Sequence, residues 1–137
     1  MEVTNEVMPT SRDRVGEMME PGPDGPIFMV NLLKFKERAE YEDGRTTDLS
    51  GRDAYRIYGQ QVSKLIRDFG GEITFTGDVT FLALGQVEDL WDEVAIAKYP
   101  SFRIASLAVV KLTESCGVAP ELLGVQIVVI IIAIIYS

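Results

Sequence analysis

Residues 27–35 read IFMVNLLKF, and this run decides the fold because, in an extended strand, both of its faces are mainly apolar. A strand with this pattern belongs in a sheet that is covered on both sides. The sequence therefore predicts a strand over 27–35 that needs two layers of cover. Its apolar positions are Ile27, Met29 and Leu33 on one face and Phe28, Val30 and Leu32 on the other.

An amphipathic helix follows, after a charged loop over 37–50. Ser50 is a typical helix N-cap, and Gly70-Gly71 is a typical helix stop. Between them apolar residues recur every three or four positions, which is the helical period.

Two strands come next. Glu72 to Leu84 alternates between apolar and polar residues, with Ile73 and Phe75 on the same face. Gly77 lies in the middle of this run and is the expected place of a bulge or bend. Glu93 to Tyr99 forms the second of these strands.

The second helix begins at Ser101 as its cap and continues to about Leu112. After a break that contains Pro120, residues 122–137 carry no charge. This stretch is too short to span a bilayer, which needs about 20 apolar residues, and it is rich in β-branched Ile and Val. It predicts a buried final strand, with a short membrane tail anchor as the alternative.

The chain is expected to form a single domain over 1–137. Residues 1–25 are a lead-in with a short helix from Thr10 or Ser11 to about Glu20, and they lack the apolar run of a secretory signal. The element order then predicts an α+β fold, a ferredoxin-like βαββαβ antiparallel sheet with both helices on one face. Because the other face is also apolar, a second copy is expected to cover it in a homodimer.

Composition excludes several classes of function. The net charge of −8 argues against binding to nucleic acid, whose phosphates the chain would repel. The absence of His excludes His-ligated haem and zinc and His-activated nucleophiles, and the single Cys cannot form an internal disulfide. We expect a cytoplasmic protein without cofactor or metal site, for which a membrane partner is disfavoured.

Several segments of the chain form a recognisable set. They are Pro26 to Phe35, Ser50 to Tyr55 with Tyr58-Gly59, Gly70-Gly71, Trp91 to Ile96, and Tyr99-Pro100-Ser101. Together they resemble the domain of unknown function 1330 family, over roughly residues 8–101. The resemblance implies a dimeric α/β barrel but no established reaction. Related barrels include cofactor-independent monooxygenases, isomerases, cyclases and haem enzymes, so fold alone assigns no activity.

The last third departs from the family pattern. Family members usually continue with a Pro-Glu-Tyr-like segment and a His-Arg pair before the last strand, whereas residues 112–120 here contain neither His nor Arg. Any chemistry that this His performs in relatives is therefore missing from this chain.

Five residues are candidates for a ligand site between helices and sheet. Asn31 interrupts an apolar strand, Tyr55 and Tyr58 share one side of the first helix, and Trp91 precedes a strand. Arg52 lies in the first helical turn and could bind a carboxylate. Each also has a structural interpretation, as a paired core polar group, a core tyrosine, an end-sealing indole or a surface cation.

Taken together, these features predict a small soluble homodimer that binds a small apolar or aromatic molecule. Whether it is an enzyme stays open. The alternatives are a cofactor-independent monooxygenase, isomerase or cyclase, with Asn31 and a tyrosine hydroxyl polarising a carbonyl, and a protein anchored to a membrane by its C-terminus.

Overall fold

The protein has an α+β fold in which two helices pack on one face of an antiparallel sheet. The computed structural model describes residues 2–3, 25–40, 44–116 and 125–132. The strands are β1 (Glu2–Val3), β2 (Ile27–Phe35), β3 (Glu72–Asp78), β4 (Gln86–Val87), β5 (Glu93–Tyr99) and β6 (Val125–Ile132), and the helices are α1 (Gly51–Asp68) and α2 (Phe102–Cys116).

The main sheet has the strand order β3-β5-β2-β6, with every neighbouring pair antiparallel. Leaving aside the two-residue strands β1 and β4, which pair with each other in parallel, the element order is βαββαβ, as the sequence predicts. The bounds predicted for β2 and β5 are confirmed at both ends. The predicted α+β class, an antiparallel sheet with two helices packed on it, is therefore confirmed.

Both helices start at the predicted caps. The Ser50 hydroxyl accepts a hydrogen bond from the backbone N–H of Asp53 at 3.1 Å and donates to its carboxylate at 2.9 Å. Ser101 accepts from the backbone N–H of Ile104 at 3.3 Å, which begins α2 in the same way. Helix α1 ends before Gly70, whose φ of 77° is the left-handed conformation that glycine adopts at low cost.

The core lies between this sheet face and the two helices. Ile27 and Leu33 of β2 are almost completely buried. Ile66 of α1 and Ala105 of α2 pack with Ile27 in one apolar cluster, so both helices cover the same face. The alternate residues Phe28, Val30 and Leu32 are only partly buried on the opposite face.

Strand β3 is shorter than predicted. The alternating pattern runs to Leu84, but the ladder stops at Asp78, which is paired with the first residue of β5, Glu93. Past Asp78 the Val79 N–H still donates to the backbone oxygen of Asp92 at 2.9 Å, but the described residues form no further strand beside β3, and residues 79–84 lie outside the strand. Phe81 and Leu84 of this segment are 78% and 85% exposed.

The irregularity in β3 also lies elsewhere than predicted. The register shifts between Ile73 and Phe75, so the extra residue is Thr74 and not Gly77. An extra residue moves the following side chains to the opposite face. The prediction that Ile73 and Phe75 share a face is therefore wrong: Ile73 lies on the helix side opposite Ala97, and Phe75 on the far side opposite Ile96.

The termini are described in part. The predicted short helix near Thr10 to Glu20 lies outside the described residues. Strand β6 pairs with β2 over Phe28–Phe35 and falls within the charge-free stretch, while residues 122–124 and 133–137 lie outside the described part. Across the described ranges, no helix has the length and apolar character needed to cross a membrane.

We expect Gly71→Ala to destabilise the fold and Gly59→Ala to stabilise it. A Cβ on Gly71 would lie 2.6 Å from the backbone oxygen of Lys98 and 2.9 Å from Ile66, which forces a shift that costs about 1–3 kcal/mol. A Cβ on Gly59, inside α1, meets nothing within 4 Å, and Ala there favours the helix by about 1 kcal/mol. Urea unfolding of both variants measures these changes, and equal midpoints would contradict the close packing at Gly71.

Candidate functional site

A cleft opens between α1 and the helix-facing side of β3 and β5, with a volume of about 540 Å³. This is within the range of about 300–1,000 Å³ that is typical of small-molecule sites. The helix contributes Arg52, Tyr55, Arg56, Gly59, Gln60, Val62 and Ser63, and the sheet contributes Ile73, Thr76, Gly77, Asp78, Glu93 and Ala95.

The cleft lies where β5 presents a small side chain to the helix. Ala95 lines the cleft and is 7% exposed, whereas Ala97, the next residue on the same face, is 2% exposed and packed in the core. An alanine leaves space where a larger residue would reach α1, and Gly59 on the helix side has no side chain at all. The spacing of small residues thus produces a concave surface between two rigid elements.

One end of the cleft holds a charge network. The Arg52 guanidinium donates to the carboxylate of Asp78 at 2.8 Å and to that of Glu93 at 3.5 Å. The same group lies over the ring of Phe35, 4.7 Å from its centroid. Asp78 raises the pKa of Arg52, which therefore remains a cation fixed between α1 and the sheet.

Glu93 is the most buried carboxylate of this network, with 20% of its side chain exposed against 68% for Asp78. Burial raises the pKa of Glu93, Asp78 adds to this shift, and the positive charges of Arg52 and Arg56 oppose it. The charged form of Glu93 therefore carries a cost in desolvation, in a cleft that a ligand can enter.

Tyr55 provides a neutral hydroxyl beside this carboxylate. Burial, with a smaller contribution from Glu93, raises the pKa of Tyr55 to about 12. The phenol thus stays protonated throughout the physiological range and can donate a hydrogen bond. Its ring packs against Phe35 at a centroid distance of 5.6 Å and against Tyr58 at 5.9 Å, which fixes the position of the hydroxyl.

The structure brings two of the five predicted residues, Arg52 and Tyr55, into the cleft. Tyr58 supports Tyr55 from outside the lining. Asn31 faces the helices, but its amide nitrogen donates to the backbone oxygens of Ala95 at 3.2 Å and Met29 at 3.4 Å. In that position it spans β2 and β5 underneath the cleft.

Trp91 lies just before β5 and does not line the cleft. Its side chain is buried, with 8% exposure, and within the described part of the chain its indole Nε1 has no hydrogen-bond partner. The neighbouring Asp92 accepts from the backbone N–H of Phe35 at 2.7 Å and thereby holds this segment against the end of β2.

Sequence reasoning missed Glu93 because it belongs to an acidic run that is typical of a solvated surface. The structure divides that run: Asp89 forms an exposed ion pair with Lys34, Asp92 binds backbone, and Glu93 enters the cleft. Periodicity of two could have separated them, because Glu93 falls on the same face as Ala95 and Ala97. Among the described residues no group of three or more His, Cys, Asp or Glu side chains could hold a metal ion.

Comparison with known proteins yields structural relatives of unknown function. The chain matches no protein-family model and no curated protein. It is similar to a crystal structure of the methylated RPA0582 protein, with a TM-score of 0.74, 25% identity and coverage of 98% of each chain. It is also similar to a structure of RPA0582, a protein of unknown function from Rhodopseudomonas palustris, with a TM-score of 0.70, 26% identity and coverage of 96% of this chain and 98% of that one.

We expect Glu93→Gln to stabilise the protein at neutral pH and above. A carboxyl whose pKa is raised in the folded state lowers stability above that pKa, and the cost disappears as pH falls through the folded pKa towards the unfolded value of about 4.3. The loss of the 3.5 Å contact with Arg52 is a small opposing effect, because Arg52 retains Asp78. The variant should therefore gain at most a few degrees in Tm, and the gain should vanish in acid.

Thermal unfolding between pH 4 and 8 measures this difference. Glu72→Gln is the control, because Glu72 is exposed and lies outside the cleft. The substitution removes the same charge as Glu93→Gln. A Glu93→Gln variant that is less stable than the wild type at every pH would show that the contact with Arg52 outweighs the desolvation of Glu93.

Proposed function

We propose that the protein binds a small aromatic or apolar molecule in the cleft between α1 and the sheet. The observation that carries this proposal is the lining, which combines apolar side chains with a few polar groups held in place by the fold. Val62 and Ile73 offer apolar contact, while Arg52, Tyr55 and Glu93 converge at one end. Such a distribution orients a ligand with an apolar body and one polar group.

We also propose that the chain is a divergent member of the domain of unknown function 1330 family. The residues of the resemblance support this, because Arg52, Tyr55 and Glu93 come from its motifs and meet in one cleft. The similarity to RPA0582 supports the fold, and since its function is unknown, it brings no activity to this chain.

A homodimer forms the second part of the proposal. The sheet face away from the helices carries partly exposed apolar side chains from three strands, and Phe75 among them is 52% exposed. A soluble single chain rarely leaves a contiguous apolar face of this kind uncovered. A second copy packed sheet against sheet, as in a dimeric α/β barrel, covers this face. The exposed Phe81 and Leu84, in the segment that follows β3, add further apolar surface.

A catalytic role is the alternative function, favoured by the presence of Glu93 and Tyr55 in one cleft. A carboxylate of raised pKa can accept a proton from carbon next to a carbonyl, and a neutral phenol can hydrogen-bond the oxygen that gains charge. This is the chemistry of a cofactor-independent isomerase or cyclase. In this alternative Glu93 replaces Asn31 as the main polar group.

Binding in the cleft is tested by filling it. We expect saturation-transfer NMR to detect binding of 2-naphthol or quinoline to the wild type, and Thr76→Trp to weaken that binding by at least about tenfold. Thr76 is an exposed residue of β3 that lines the cleft, so the indole enters it without disturbing the core. The control, Thr80→Trp, places the same indole at an exposed position outside the cleft.

Unchanged binding in Thr76→Trp would contradict the cleft as the binding site. Asn31→Ala separates a structural role from a binding role: it removes the hydrogen bond to Ala95 and should cost about 1–3 kcal/mol of stability. Binding by the folded variant should change less than about twofold, and a larger change would return Asn31 to the site.

The dimer is tested by native mass spectrometry of protein purified without detergent. We expect a species of twice 15.2 kDa, and we expect Phe75→Asp to convert it to the monomer, because an uncompensated charge cannot be buried between the sheets. Ile57→Asp is the matched control, since Ile57 is 53% exposed but lies on α1. A wild-type monomer at micromolar concentration, or equal effects of both substitutions, would exclude this interface.

A further inference from the structure

We propose that the cleft selects aromatic molecules that carry a neutral hydroxyl group over aromatic carboxylates, and that Glu93 and Tyr55 make this selection. The inference rests on the proposed binding function and specifies its ligand class. It follows from the hydrogen-bond capacity and the charge that the fold leaves inside the cleft.

Glu93 has acceptor capacity that the described residues do not use. An ionised carboxylate offers about four acceptor positions, and in the described part of the chain Glu93 accepts one long hydrogen bond, from Arg52 at 3.5 Å. The side chain of Glu93 is 20% exposed. A ligand that donates an O–H to Glu93 supplies a shorter charge-assisted hydrogen bond than the 3.5 Å one from Arg52.

Tyr55 complements Glu93 in the same region. Its hydroxyl makes no hydrogen bond within the described residues, and its pKa of about 12 keeps the proton in place. A ligand hydroxyl is both donor and acceptor, so it can donate to Glu93 while it accepts from Tyr55. An ether or ring nitrogen can use Tyr55 but has nothing to donate to Glu93.

The charges of the cleft disfavour an anionic ligand although two arginines line it. The Arg52 guanidinium already forms an ion pair with the Asp78 carboxylate at 2.8 Å, and the Arg56 guanidinium lies 3.6 Å from the Asp53 carboxylate. With Asp78 and Glu93 opposite the two arginines, the charged residues of the lining sum to zero. A ligand carboxylate near Tyr55 would meet the negative charge of Glu93, and both groups would be partly desolvated there.

The apolar part of the cleft accommodates an aromatic ring. Val62 of α1 and Ile73 of β3 line the cleft from its two sides, and Ala95 lies between them on the floor. The volume of about 540 Å³ exceeds that of a single benzene ring and allows a fused bicyclic molecule. Naphthalene derivatives with one substituent are therefore suitable probes.

The experiment compares three probes with the same bicyclic size, measured by NMR titration at neutral pH. They are 2-naphthol, which donates and accepts, quinoline, which only accepts, and 2-naphthoate, which is an anion. We expect 2-naphthol to bind at least about fivefold more tightly than either of the others.

Two variants assign the preference to the proposed residues. Glu93→Gln should weaken the binding of 2-naphthol by about fivefold to tenfold, because the neutral amide is a poorer acceptor. The same substitution should strengthen the binding of 2-naphthoate, because it removes the repulsion between the two carboxylates. Tyr55→Phe keeps the ring packing but removes the hydroxyl, and it should weaken the binding of 2-naphthol and of quinoline to the same extent. The matched control Glu72→Gln, which removes an exposed charge outside the cleft, should leave all three affinities unchanged.

The outcomes separate the two proposals. Binding of all three probes with equal affinity, or tighter binding of 2-naphthoate, would overturn the inference and leave the binding function standing. An unchanged preference in Glu93→Gln would also overturn it, since the selection would then come from another group. Failure of every probe to bind the cleft, judged by insensitivity to Thr76→Trp, would overturn the binding function itself.

Discussion

The antiparallel pairing of β2 with β5 is the contact on which the other features depend. It sets Leu33 opposite Glu93 and Ile27 opposite Tyr99, and it thereby decides which side chains of both strands face the helices. A one-residue shift in the register of this pairing would move every side chain of one strand to the opposite face of the sheet. Asn31 reinforces this register, because its amide hydrogen-bonds the backbone of the residue directly opposite, Ala95.

The two faces of the sheet differ in chemistry as a result. The helix side of β5 carries Glu93 and the two small residues Ala95 and Ala97, whereas the far side carries Val94 and Ile96. Large apolar residues on the far side favour contact with another layer, and the small Ala95 on the helix side leaves space below α1. The cleft and the apolar face therefore arise from one alternating sequence.

The local signals of the sequence predicted most of the fold. The caps at Ser50 and Ser101, the stop at Gly70-Gly71 and the bounds of β2 and β5 depend on residues near one another in the chain. The end of β3 could not be predicted in this way, because it depends on where its partner β5 begins. Residues 79–84 have the pattern of a strand, but a strand forms only where a neighbour completes its hydrogen bonds.

The site was predictable to a smaller extent for a related reason. Tyr55 and Arg52 could be selected because a helical period places them on one side of α1. Asn31 had the most unusual sequence context, but a backbone carbonyl across the sheet accounts for its amide, and such partners are invisible in a sequence. Glu93 was hidden in an acidic run, and its burial depends on the helix packed above it.

The bulge at Thr74 connects the cleft with the far face. Without the extra residue, strict alternation from Ile73 would turn Phe75 towards α1, into the space of the cleft, and would turn Asp78 away from Arg52. With it, Phe75 joins the far face and Asp78 lies on the helix side, where it binds Arg52 at 2.8 Å. Bulges commonly redirect side chains beside functional sites. The extra residue Thr74 thus keeps Phe75 out of the cleft and brings Asp78 to Arg52. It also adds Phe75 to the apolar surface on the other side of the sheet.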